Sequence, residues 1–184
     1  VGIPFGIIAA LHRKKPADYA VLALATIGIS VPTFILAVLM LMLFGEVFHL
    51  PIAIFHEDVA VSYILPVLCL SFHPIAYIAR QTRSSMLEAL ENDYVRTARA
   101  KGVSELMVVA KHALKNALTP VITYLGPVMA GIITGSFVVE STFSIPGLGK
   151  YFVQSVLSRD YPVIMATTVV LSALVIIMNP VVDI

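Results

Sequence analysis

Residues 90–102 read LENDYVRTARAKG, and residues 111–120 read KHALKNALTP. Leu87, Leu90, Tyr94 and Ala98 recur at i, i+3, i+7 and i+11, which predicts one apolar stripe on a helix, with Glu91 and Arg99 off it. Ser85-Met-Leu-Glu88 fits a capping box that would open this helix. Gly102 suits the left-handed residue that closes it. Ser104 is placed to cap a second helix, with Leu106, Val109, Ala113 and Ala117 on its apolar face beside Lys111 and Lys115. Thr119 and Pro120 supply an N-cap and a first-turn proline for whatever follows.

Outward from this polar arm the chain is mostly apolar. Of 184 residues, 59% are hydrophobic and 12% charged, against roughly 25% charged in soluble domains. Apolar segments cover residues 19–44, 61–79, 119–139 and 162–184, each about as long as a bilayer-crossing helix needs to be. Residues 1–11 are apolar but too short to span; with no initiator Met, they read as the end of a further span in a fragment that opens partway through it. Pro32, Pro66, Pro74 and Pro127 fall within these segments, as membrane helices tolerate.

Charge sorts the connections. Ten of the twelve Lys and Arg residues lie in residues 12–15 and 80–115. The connection 45–60 holds Glu46, Glu57 and Asp58 and no Lys or Arg, and 140–161 balances Lys150 and Arg159 against Glu140 and Asp160. Cationic side chains resist translocation, so the basic connections are expected on the cytoplasmic side and the others outside. The expected architecture is an all-α polytopic transmembrane bundle, residues 1–184 forming one domain, with a cytoplasmic loop at 80–118. Mixed charge on that loop favours a protein partner over a lipid surface, because a lipid-binding helix keeps a predominantly basic polar face.

The chain at this point resembles the permease subunits of ABC importers in the dipeptide and oligopeptide branch, of type I fold. The most specific resemblance is Asp93 to Gly102 followed by Lys111 to Pro120, which look like that branch's version of the cytoplasmic EAA loop. The runs VESTFSIPGLG at 139–149 and RDYP at 159–162 are also typical of it. The resemblance implies that Asp93, Tyr94, Arg96, Thr97, Ala98, Arg99, Ala100, Lys101 and Gly102 form a helix that couples to a cytoplasmic ATPase. Arg96, Thr97 and Ala98 take the Glu-Ala-Ala positions, and Gly102 is the motif glycine. The chain departs from the general consensus at Arg96 and Thr97 and lacks its Leu-Pro, where Leu114-Lys115 stands instead; both departures are normal for the peptide branch. The implied partners are a second permease subunit, two ATP-binding subunits, an extracytoplasmic binding protein, a peptide substrate and membrane lipid, with no nucleic acid. ATP and Mg would sit on the ATPase subunits, none on this chain. The implied location is a prokaryotic cell membrane, and residues 126–136 lean toward oligopeptides over dipeptides, nickel chelates or other small solutes.

Other chemistries find weaker support in the residues. Gly147-Leu-Gly-Lys150 imitates a phosphate loop, but Ser144 and Tyr151 stand where Gly and Ser/Thr are required, so a tight turn is expected and ATP hydrolysis belongs to another polypeptide. An ion-coupled secondary transporter is the main alternative; His73 is its one intramembrane proton carrier candidate, since every Asp and Glu falls in a loop or at a helix end. His49 and His56 beside Glu57 and Asp58 form no His-Glu-x-x-His, and Gly135-Ser136 lacks the hydrolase elbow spacing, so the chain is not read as an enzyme and no metal site is expected. Gly126, Ala130, Gly131, Gly135 and Ser136 make a small, weakly polar face, for helix packing or for lining the pathway. In the outer loop a short helix is expected at 150–157, and Glu140 and Arg159 are candidate contacts for the binding protein. Cys69 is expected to be a buried, inert thiol.

Overall fold

Pro32 decides where the longest apolar run stops being one helix. In the computed structural model, which describes residues 1–50, 56, 59–133 and 136–182, helix α2 (Pro16–Ser30) ends and α3 (Thr33–Leu41) begins on either side of Val31-Pro32. Pro32 lies at φ −59°, ψ 137°, an extended geometry that ends α2. Proline donates no N–H and disfavours helical backbone in the residue before it. The apolar segment 19–44 is therefore two helices rather than one. Pro74, by contrast, sits inside the 28-residue α4 (Ile64–Glu91) with the helix intact around it.

The remaining helices are α1 (Gly2–Leu11), α5 (Asp93–Ala100), α6 (Glu105–Met107), α7 (Leu114–Ala117), α8 (Thr119–Ile133), α9 (Phe137–Thr142), α10 (Leu148–Ser158) and α11 (Tyr161–Val182). Single π-helical stretches extend α3 over Met42–Val47 and join α6 to α7 over Val108–Ala113. No strand occurs among the described residues. Among the described residues, 60–91 alone suffice by length and composition to cross a membrane; α2 with α3 and its extension suffices only as a broken pair, and α1 and residues 161–177 are shorter apolar helices.

Two compact units divide the chain: residues 1–30 with 74–125, and residues 31–73 with 126–184. In the first, Ala10, Met86, Ala89, Val95, Ala98, Val108, Ala113 and Ala117 form the core. Helix α1 approaches α4 through glycine: a Cβ on Gly6 would stand 2.5 Å from the Thr82 Cβ and 2.6 Å from the Ala79 carbonyl oxygen. Asp18, in the first turn of α2, accepts from Arg83 Nε at 2.5 Å and Nη2 at 2.8 Å, and from the Lys14 backbone N–H at 2.9 Å. Tyr77 and Tyr124 stack with centroids 3.9 Å apart. The core of the second unit is Ala37, Leu65, Cys69, Val139 and Phe143, so Cys69 is buried as expected.

Large apolar side chains such as Leu24, Ile27, Leu39, Val67, Val169 and Ile176 are exposed along the helices. A water-soluble chain seldom leaves so much apolar surface uncovered, whereas a lipid-facing one does so by design.

Candidate functional site

The polar arm is built as an elbow. Helix α4 runs on through Ser85, which is buried, so no capping box opens there; the break falls at Asn92, with φ −70° and ψ 152°. Asn92 turns its side chain back, donating Nδ2 to the Glu88 carbonyl at 3.0 Å. Helix α5 then starts at Asp93, whose carboxylate suits the positive end of a helix. Of the expected stripe, Ala98 is buried, but Val95 takes the buried place of Tyr94, which is 39% exposed. Restarting the helix at Asn92 changes the phase of the apolar face. Arg96, Thr97, Arg99, Ala100 and Lys101 are exposed.

Gly102 closes α5 with φ +76° and no atom within 4 Å of where a Cβ would stand, so backbone conformation rather than space calls for glycine. The N–H of Gly102 donates to the Arg99 carbonyl at 2.9 Å and that of Val103 to the Ala98 carbonyl at 3.3 Å, the paired bonds of a Schellman stop. Arg99 then reaches across the turn to Glu105, Nε to Oε2 at 3.1 Å and Nη2 to Oε1 at 2.6 Å. The guanidinium holds the Glu105 carboxyl below the ordinary glutamate range, and the carboxylate raises Arg99 in turn.

Ser104 occupies the N-cap position of α6 but makes no side-chain capping bond; its carbonyl accepts from the Val108 N–H at 2.9 Å. Leu106, expected on the apolar face, is 84% exposed, and Met107 is 50% exposed, while Val108 and Ala113 are fully buried. Packing against Met86 and Ala89 selects Val108 instead. Thr119 is the first residue of α8 rather than its cap. The elbow therefore leaves Tyr94, Leu106 and Met107 exposed.

In the second unit the Gly147-to-Lys150 segment is a helix start. Glu140 accepts from the Gly149 N–H at 2.7 Å and the Lys150 N–H at 3.2 Å. Its own carboxylate occupies the place where a phosphate would bind, which disposes of the nucleotide-loop imitation on physical grounds. Glu140 is half-buried and engaged, not freely presented. Arg159 is exposed and caps α10 in the left-handed region, φ 58°. The helix expected at 150–157 runs over Leu148–Ser158, with Phe152 stacked on Phe137 at 4.9 Å.

Of the small-residue face, Gly126, Gly131 and Ser136 are among the residues described in full. Gly126 is buried, Gly131 is exposed with open space about its Cα, and five residues of helix turn them to different sides. Ser136 is extended and accepts the Val139 N–H at 3.4 Å, capping α9. The side chain of Ala130, and Gly135, Glu57, Asp58 and Asp183, lie outside the described residues. The Asp18–Arg83 pair was missed in the sequence. Its signal was there: Asp18 is the one acid in the first 45 residues, directly after Arg13, Lys14 and Lys15.

Among the described residues, helices with exposed apolar surface and one long polar arm define an all-α chain of the membrane-component class. The chain belongs to the family of binding-protein-dependent transport system inner membrane components, which matches residues 2–184. It is similar to the dipeptide transport system permease protein DppB of Bacillus subtilis, 52% identical over 99% of this chain and 59% of that relative. It is likewise 43% identical to the oligopeptide transport system permease protein OppB of Escherichia coli K12, over 95% of this chain and 57% of that relative. The OppB of Haemophilus influenzae is 41% identical over 100% of this chain and 60% of that relative. The chain thus spans about three fifths of the length of these curated relatives. An ion-coupled carrier is not favoured by this membership, and His73 is a half-buried residue of α4.

Proposed function

We propose that this chain is the membrane permease subunit of an ATP-driven importer of peptides in a prokaryotic cell membrane. In this reading it pairs with a second permease subunit, two ATPase subunits and an extracytoplasmic binding protein, and holds neither ATP nor Mg itself. The observation that carries the reading is the elbow. Residues 93–102 form a short helix with a glycine-specified stop, buried on Val95 and Ala98 and open on its outer side. A lever that transmits force needs a stiff shaft, a fixed bend and an uncovered docking surface, and these residues supply all three. Spans at 1–11, 19–44, 61–79, 119–139 and 162–184, with 80–118 on the cytoplasmic side, complete the proposal. Gly126, Gly131 and Ser136 would then serve packing or pathway separately, and Arg159 remains the exposed candidate for the binding-protein contact.

The test is Arg99→Pro in the complete transporter, reconstituted in lipid with its partners. Proline inside a helix costs about 3 kcal/mol or more, enough to melt a two-turn shaft. Peptide-stimulated ATPase activity and uptake should both be lost while the protein still inserts and its partners still bind ATP. Coupled uptake at the unaltered rate would refute the docking role.

A further inference from the structure

Arg80 and Arg159 are the arginines without an ion pair among the described residues. Arg13 pairs with Glu91 at 2.6 Å, Arg83 with Asp18 at 2.5 Å, Arg96 with Asp93 at 3.7 Å and Arg99 with Glu105 at 2.6 Å. Arg80 has no carboxylate partner among the described residues, although it lies three residues before Arg83 on the same helix, about 4.5 Å nearer the apolar run. It is the first Lys or Arg after residues 61–79. Arg80 is exposed at the end of that run, where an unpaired cation gains from an anion.

The surroundings of Arg80 fit one. Ile29, Tyr77, Arg80, Gln81 and Ser84 line a cleft of about 210 Å3 within the first unit. Its polar side chains are a guanidinium, a carboxamide, a hydroxyl and a phenol, with no carboxylate among them. Gln81 is only lightly used, donating to Ser85 Oγ at 3.4 Å. Ile29 and the Tyr77 ring, held by its stack on Tyr124, give the cleft an apolar side. Donors beside an apolar wall at the end of a membrane helix match a phosphodiester whose acyl chains lie along that wall.

We infer that the Tyr77–Arg80–Gln81–Ser84 cleft is a binding site for the headgroup of an anionic phospholipid of the inner leaflet. The inference rests on membrane placement of this family and not on peptide as the cargo, so uptake is not its readout. The test is native mass spectrometry of the full-length protein in its complex, titrated with phosphatidylglycerol or phosphatidylcholine. Phosphatidylglycerol should be retained preferentially, and Arg80→Gln should weaken its retention about fivefold, the effect of one cation at an anionic surface. Arg80→Lys should retain part of it. Lys150→Gln, which removes a cation from the other unit, should leave it unchanged.

Equal loss in Lys150→Gln, or equal retention of phosphatidylcholine, would overturn the site. So would displacement of the lipid by millimolar inorganic phosphate, or by saturating peptide, which would mark the cleft as a free-anion or cargo site. If Arg80→Gln fails to assemble, the two competition arms on the unaltered protein decide alone.

Discussion

Asp18 and Arg83, 65 residues apart, meet through two hydrogen bonds, with the carboxylate side chain only 2% exposed and the guanidinium 20% exposed. This pair ties the start of α2 to α4 just where α4 leaves its apolar stretch. Removing one partner strands the other, so Asp18→Asn or Arg83→Gln should each destabilise the protein by roughly 3 kcal/mol, at the low end for a buried pair because water reaches Arg83. Replacing both, as Asp18→Asn with Arg83→Gln, should cost less than the sum of the single changes. Thermal unfolding of the detergent-solubilised protein measures all three. Additive losses would mean that the two side chains do not depend on each other.

The Arg99–Glu105 bridge makes the elbow's order depend on pH. The folded carboxyl of Glu105 is held below its unfolded value, first by the Arg99 hydrogen bonds and then by its charge. Stability from this source is therefore fully present above the ordinary glutamate value of 4.5 and is lost as pH falls through the depressed folded value. Spin labels at Thr97 and Leu106 should report a narrow distance distribution at neutral pH that broadens in acid. In Glu105→Gln the distribution should be broad at both. Acid broadening that persists in that variant would assign the effect to another group.

How far these features could be read in advance depends on how local their causes are. Gly102 was legible because positive φ is a property of one residue, and the helix at 148–158 because glycine, proline and apolar spacing bracket it. The break at Asn92 was not, since the periodic stripe passes smoothly through it; Asn92 turning back to Glu88 and the burial of Val95 decide it. Pro32 and Pro74 are the same residue in similar apolar runs, yet one ends a helix and the other does not. The role of Glu140 was hidden for another reason. A surface contact and a cap for a helix nine residues away look identical in sequence.

That cap should be worth measuring. Glu140→Ala leaves the N–H groups of Gly149 and Lys150 without their acceptor and should cost about 1 kcal/mol, the usual price of a lost N-cap. Hydrogen exchange at Gly149 and Lys150 should accelerate while exchange within α11 is unchanged. Glu140→Gln, which keeps an acceptor oxygen but not the charge, should retain much of the protection. If both variants match the unaltered protein, the carboxylate contributes nothing to α10.

Two glycines should respond in opposite directions. Gly6 lies against α4, where an added methyl would stand 2.6 Å from the Ala79 oxygen and 2.5 Å from Thr82 Cβ. Backbone cannot yield as a flexible side chain can, so Gly6→Ala should separate α1 from α4 and lower the midpoint of thermal unfolding by several degrees. Gly131 is helical with free space at that position, and Ala favours helix over Gly by about 0.5–1 kcal/mol. Gly131→Ala should therefore hold or raise the midpoint of the chain measured alone. Its effect on uptake in the assembled transporter then carries separate information. Preserved stability with lost uptake would mean that something outside this chain, a partner helix or the cargo, passes close to Gly131; preserved uptake would leave it a helix position of no special demand. A fall in stability for the chain alone would contradict the open surroundings of that residue.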